Sequence, residues 1–130
     1  RRQDGISVIN ELPLETYLRG VVPHEMPVDF GETALQAQAI TARSYAYNQF
    51  YANSYCGYGA HLADTVASQV YLGADTAELS DAAIKATEGK CLTAGNEVVL
   101  IFTLLLAGME RMQKKYGRQT AHSQKKANHI

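Results

Sequence analysis

Apolar and polar positions along this chain change period several times, and each change marks an element. Leu14, Tyr17, Leu18 and Val21 fall at helical spacing. Asn10 or Glu11 precedes them and Pro13 suits a first turn, so "NELPLETYLRGVV" predicts a helix that Pro23 brings to an end. "GETALQAQAITARSYAYNQFYA" predicts the strongest helix. Its Leu35, Ala39, Ala42 and Ala46 make a narrow stripe of mostly small residues, flanked by Ile40, Tyr47 and Phe50, and small side chains let another helix come close. "SDAAIKATEG" predicts a short helix with Ser80 as N-cap, Ala83, Ile84 and Thr87 inward, and Gly89 as C-cap. Strands are predicted at "ISVI", residues 6–9, and from Val66 to Leu72. "KCLTAGNEVVLIF" predicts a β-hairpin turning at Ala94-Gly95-Asn96. Together these elements predict an α+β domain, a helical region packed on a small, mainly antiparallel sheet.

Composition narrows the possibilities. A chain of 130 residues, 46% of them hydrophobic, fits one globular domain with a modest core. A formal net charge of -1 supplies no basic field, so nucleic acid is not an expected partner. Two cysteines are too few for a disulfide scaffold. No signal peptide is visible and the first residue is Arg1, so location is not legible from this end. The longest apolar run, "VVLIFTLLLAG" at residues 98–108, is shorter than the roughly 20 residues that span a bilayer. Beyond it, six of the twelve Lys and Arg lie between residues 111 and 126, the composition of a solvated tail.

One charge sits in an unusual place. In "RGVVPHEMP" the carboxylate of Glu25 follows an apolar run and stands between Pro23 and Pro27. A carboxyl held in an apolar pocket can serve as a protonated donor near neutral pH. Read by itself, Glu25 is more often structural than catalytic.

Four stretches, in order, change that weighting: "INELPLETYLRGVVPHEMP", "ETALQAQAITARSYAY", "DTVASQVYLG" and "AIKATEGKCLTAGNEVV". They resemble the stage II sporulation protein D family, which also includes the amidase enhancer proteins. The resemblance covers residues 6 to about 99. It implies an extracytoplasmic protein acting on peptidoglycan, a lytic transglycosylase that cuts glycan strands denuded of stem peptides beside a cell-wall amidase during engulfment in sporulation. The helical region would then be the catalytic one, and Glu25 matches the family's catalytic acid. Hydrolases usually need a second carboxylate. A lytic transglycosylase manages with one, because the muramic acid C6 hydroxyl is the nucleophile and one Glu acts first as acid, then as base.

The resemblance also implies substrate-binding residues. Gln38, Arg43, Ser44 and Tyr45 lie in the family's helix motif, and Gln69 and Tyr71 match positions near its cleft. A guanidinium and an aromatic ring both suit a sugar groove, while a structural ion pair is the plainer role for Arg43 and a strand with alternating faces the plainer one for Gln69 and Tyr71. Cys56 and His61, with four residues between them, resemble a Cys and His that bind zinc in sporulation-type members. Such zinc would be structural, since the Glu25 chemistry needs no metal. A Cys56–Cys91 disulfide is the other reading of that thiol, and His24 reads as a helix-end histidine. Two other functions remain: a non-catalytic, wall-binding enhancer of an N-acetylmuramoyl-L-alanine amidase, and, more remotely, a zinc hydrolase, for which no HExxH spacing is present.

Near residue 100 the resemblance stops. Family members continue with an aromatic residue, a serine run, glycines and a Trp. Codons for residues 102–119, read one frame over, permit such a string. The domain expectation is therefore a partial family domain over 1–100 and a divergent tail over 101–130, either native or read from a shifted frame.

Overall fold

The computed structural model describes residues 5–65, 67–73 and 77–99. The expectations for the tail lie outside the described residues. Four helices and one hairpin make the described frame: α1 (Leu14–Arg19), α2 (Val22–Glu25), α3 (Glu32–Ala52), α4 (Glu78–Ala86), β1 (Thr93–Ala94) and β2 (Glu97–Val98). The α+β class holds, with a smaller sheet than the pattern suggested.

Local chemistry explains the helix ends. The single helix expected over residues 10–22 is two. α1 stops at Gly20, and the chain turns there before α2 starts. Pro23 falls in the first turn of α2 rather than ending α1; a first-turn residue needs no N–H, so proline is tolerated there. Met26 then goes extended (φ -132°, ψ 113°) because the ring of Pro27 disfavours helical geometry in the residue before it. The short chain between Pro23 and Pro27 is thus braced at both ends, with Glu25 as the last residue of α2. A 3-10 turn at Val28–Phe30 leads to Gly31, whose φ of +87° suits glycine, and α3 begins. Asn53 closes α3 in the left-handed conformation that Asn tolerates.

α3 is the spine. Leu18, Val21, Val22, Met26, Leu35, Ala39, Ala42, Ala83 and Ile84 form the core where α1, α2 and α4 meet it. Leu18, Val21, Val22 and Leu35 are completely buried, each stabilising the fold by about 1.5–3 kcal/mol. The Ala39–Ala42 stripe gives α4 its close seat, as the small-residue pattern predicted. Glu15 and Arg19, one turn apart on α1, pair outward to two different helices: Glu15 with Arg43 of α3, and Arg19 with Asp81 of α4. The far end of α3 differs, for Tyr47, Phe50 and Tyr51 are exposed.

α4 starts two residues before the predicted cap. Ala77 is its N-cap, and Ser80 lies fully buried inside the helix with its hydroxyl unpartnered among the described residues. The helix closes at Thr87, whose hydroxyl donates back to Ala83 O at 2.9 Å; Gly89 (φ +70°) turns the chain after it. The hairpin forms as predicted, pairing Thr93 with Val98 and Ala94 with Glu97. Gly95 takes φ +63° at the first turn position, as a type II′ turn requires.

The other two predicted strands do not form. Residues 6–9 carry no strand, and Ile6 and Val8 face solvent. Residues 67–72 have no regular structure either. There the backbone N–H groups go elsewhere: Val70 donates to the Glu25 carboxylate and Leu72 to Gly20 O.

Candidate functional site

Glu25 is the buried acid that its sequence setting suggested, with 8% of its surface exposed. Its Oε1 accepts a hydrogen bond from the Val70 N–H at 3.1 Å. Among the described residues no cation pairs with it. Neighbouring His24 also lies in the last turn of α2, and its Nε2 is buried without a partner among the described residues.

Helices α1 and α3 hold the segment that meets Glu25. Gln69 is buried; its Nε2 donates to Ala42 O of α3 at 3.4 Å, and its Oε1 accepts from the Tyr17 hydroxyl of α1 at 3.0 Å. Tyr71 stacks its ring on that of Tyr17, with centroids 5.6 Å apart and planes 7° off parallel. Leu72 N–H reaches Gly20 O at 3.3 Å. Gly20 permits this approach. A Cβ there would collide with the Tyr71 ring and lie 2.8 Å from Gly73 O.

Burial pushes the Tyr17 phenol well above its ordinary range, and the charges of Tyr45, Glu25 and Tyr71 push it further, in that order. Tyr17 therefore stays a neutral donor at any physiological pH. Tyr45 itself is buried on α3. Gln38, Ala42 and Tyr45 share one row of that helix, and the row meets Gln69 at the Ala42 carbonyl. Gln38 is buried with both amide heteroatoms unpartnered among the described residues.

Glu25, Tyr45, Gln69 and Tyr71 thus gather around Tyr17. Arg43 and Ser44 do not join them. Arg43 is 1% exposed and its guanidinium is taken up by Glu15, at 2.7 and 2.8 Å, and by the carbonyls of Lys90 and Ile84. Ser44 donates to Ile40 O at 2.7 Å and accepts from Leu92 N–H at 2.8 Å, hanging the hairpin's approach on α3. Both stand on the structural side of α3.

Cys56 is exposed in a 3-10 turn, Cys56–Tyr58, and His61 is exposed with its ring 4.5 Å from that of Phe50. A structural zinc takes four ligands. Among the described residues no three His, Cys, Asp or Glu side chains gather to hold a metal ion. Cys56 and His61 supply at most two donors, so the described residues do not complete a zinc site. Cys56 and Cys91 are both free thiols.

Tyr17 and Gly20 are the site residues that periodicity hid. Tyr17 fits its helix as an apolar position, and the one available signal was chemical: a tyrosine turned inward, where a leucine would pack, implies a partner for its hydroxyl.

The model of the stage II sporulation protein family matches residues 2–93. The chain is 36% identical over 105 residues to stage II sporulation protein D of Bacillus amyloliquefaciens, covering 70% of this chain and 30% of that protein. It is 35% identical over 82 residues to the amidase enhancer of Bacillus subtilis strain 168, covering 63% of this chain and 10% of that protein. An uncharacterised protein of Brachyspira hyodysenteriae is 54% identical over 43 residues, covering 33% of this chain and 12% of that protein. The chain spans between 10% and 31% of the length of the curated relatives it matches. No solved structure matches it.

Proposed function

Because the chain belongs to the stage II sporulation protein D family, we propose that it cleaves peptidoglycan glycan strands as a lytic transglycosylase, with Glu25 as the only acid and base. The observation that carries this reading is a buried carboxyl held by one backbone N–H and paired with no cation among the described residues. A carboxyl so placed can give up a proton and take one back without breaking an ion pair.

Glu25 donates its proton to the glycosidic oxygen as the bond from that oxygen to the muramic acid C1 breaks. The same sugar's O6 then bonds to C1, closing a 1,6-anhydro ring, and its proton passes to Glu25. The acid is restored and no water is consumed. Tyr71, half-buried and next to the Val70 that meets the acid, is the group best suited to a sugar; Gln69 is bonded to Tyr17 and Ala42, and Arg43 and Ser44 act on the frame. The protein works outside the cytoplasm, where glycan strands are. No helix of the described residues is long and apolar enough to cross a membrane.

The test is Glu25→Gln on strands stripped of stem peptides, with products resolved by chromatography and mass. The expected loss is at least about a hundredfold in rate, the scale of general acid catalysis. Cleavage at the unmodified rate by the Gln variant would sink the assignment. The similarity to the amidase enhancer supports a second reading, a wall-binding partner that stimulates an amidase without cutting glycan. Stimulation of amidase release, with no anhydro ends from either the unmodified chain or Glu25→Gln, is the result that favours it.

A further inference from the structure

Residues 69–72 have neither helix nor strand geometry, yet they carry the N–H that meets the acid. Something must hold that backbone in place. The contacts on either side of Val70 converge on one side chain. Tyr17 donates its hydroxyl to Gln69 Oε1 at 3.0 Å, and its ring stacks on Tyr71 at 5.6 Å. Gln69 and Tyr71 flank Val70 directly, so the two ends of a single phenol grip the chain before and after the donor. Leucine would fill only part of the volume and make neither contact; phenylalanine would keep only the stack.

We propose that Tyr17 is a positioning residue, which fixes the Val70 N–H by gripping Gln69 and Tyr71 and thereby sets the orientation of the Glu25 carboxyl. The inference rests on reading Glu25 as the acid. It adds a consequence at the atomic level. An oxygen that accepts an N–H acts as the carbonyl oxygen of a carboxylic acid, so Oε1 is the fixed one and the transferable proton sits on Oε2. Tyr17 touches no reacting atom in this scheme. It acts through two residues and a backbone amide, as groups supporting an active residue do.

The experiment follows the Val70 backbone amide by NMR through the carboxylate range, about pH 3 to 7, in the full chain. The unmodified protein should show a Val70 amide transition that disappears in Glu25→Gln. Tyr17→Phe should reduce its amplitude and lower kcat on denuded glycan by about tenfold, with KM nearly unchanged, a loss the size of one hydrogen bond. Tyr17→Leu should remove the transition while the Leu92 amide, bonded to Ser44 on the other side of α3, keeps its shift. A Val70 transition of full amplitude in both Tyr17 variants overturns the proposal. So does a drop in kcat with the Val70 transition intact. Tyr17→Phe deletes a single oxygen, and its spectrum decides alone if the Leu variant fails to fold. The amide measurement needs no substrate, so failure of the transglycosylase reading, seen as an active Glu25→Gln, is separable from failure of the Tyr17 one.

Discussion

Arg43 and Glu25 are both buried ionisable side chains on helices that pack together, and the fold treats them in opposite ways. Arg43 is 1% exposed and surrounded by acceptors: both oxygens of Glu15 and the carbonyls of Lys90 and Ile84. Glu25 is 8% exposed and receives one backbone N–H. Burying a charge is costly unless it is paired and hydrogen-bonded. Full compensation locks Arg43 into the frame, where it ties α1, α3, the end of α4 and the approach to the hairpin together. Glu25 has that single backbone donor and no cation among the described residues. The region around Arg43 is densely bonded, and the region around Glu25 is sparsely bonded among the described residues.

The strongest way to break this comparison is to remove each charge and measure stability. Arg43→Met should cost about 3 kcal/mol by chemical denaturation, because it strands Glu15 and two carbonyls in a partly buried site. Glu25→Gln keeps an acceptor for Val70 N–H and should cost less than about 0.5 kcal/mol. Equal losses would mean that Glu25 is as structural as Arg43. The next effect tests the seat of the segment that meets the acid. Gly20→Ala should cost about 2 kcal/mol, the penalty of overpacking, since its methyl group must displace the Tyr71 ring. A thermal midpoint unchanged from the parent would show that residues 69–72 are loosely held.

Smaller and opposite in sign is Gln38→Met. Its buried amide has no partner among the described residues, so an apolar side chain of similar volume should raise stability by about 1 kcal/mol. If Gln38 contacts the sugar, the same variant binds glycan strands more weakly in a sedimentation assay, and stability and function move apart. The smallest effect is an alkaline one. Tyr17 keeps its proton in the folded state above the unfolded phenol value of about 10, because burial opposes ionisation. The stability it contributes is whole below that pH and falls as pH rises past it, since the unfolded chain then loses a proton that the folded chain retains. Thermal midpoints taken from about pH 8 to pH 11 should decline less steeply in Tyr17→Phe than in the parent.

Much of this was legible in one dimension. The 3.6 period with its Ala stripe gave α3 to its boundaries, and Ala94-Gly95-Asn96 gave the hairpin. The motif "GVVPHEMP" singled out Glu25, through its prolines as well as its resemblance. All of these are local signals, in which a residue's neighbours along the chain fix its backbone. Where a local signal left two outcomes open, the reading went astray. Pro23 can end one helix or begin another, and Gly20 made the difference by stopping α1 first. Ser80 is a good N-cap by type, but burial drew it inside α4.

What the chain order could not contain is the pairing across distance. Alternation in "SQVYL" fits a strand, because side chains of period two say which faces differ and nothing about where the N–H groups go. They went to Glu25, 45 residues earlier, and to Gly20. Tyr17 looked like one more apolar position until its hydroxyl found Gln69, 52 residues on. Arg43 kept two roles open until Glu15, 28 residues before it, closed around its guanidinium. The sequence by itself determined α3, the hairpin turn and the two prolines that brace Glu25, since these follow from backbone sterics and short-range chemistry. Only the tertiary structure decided which polar groups meet, because a buried hydrogen-bonding group must find its partner wherever packing brings one within 3 Å or so, however far away it lies along the chain.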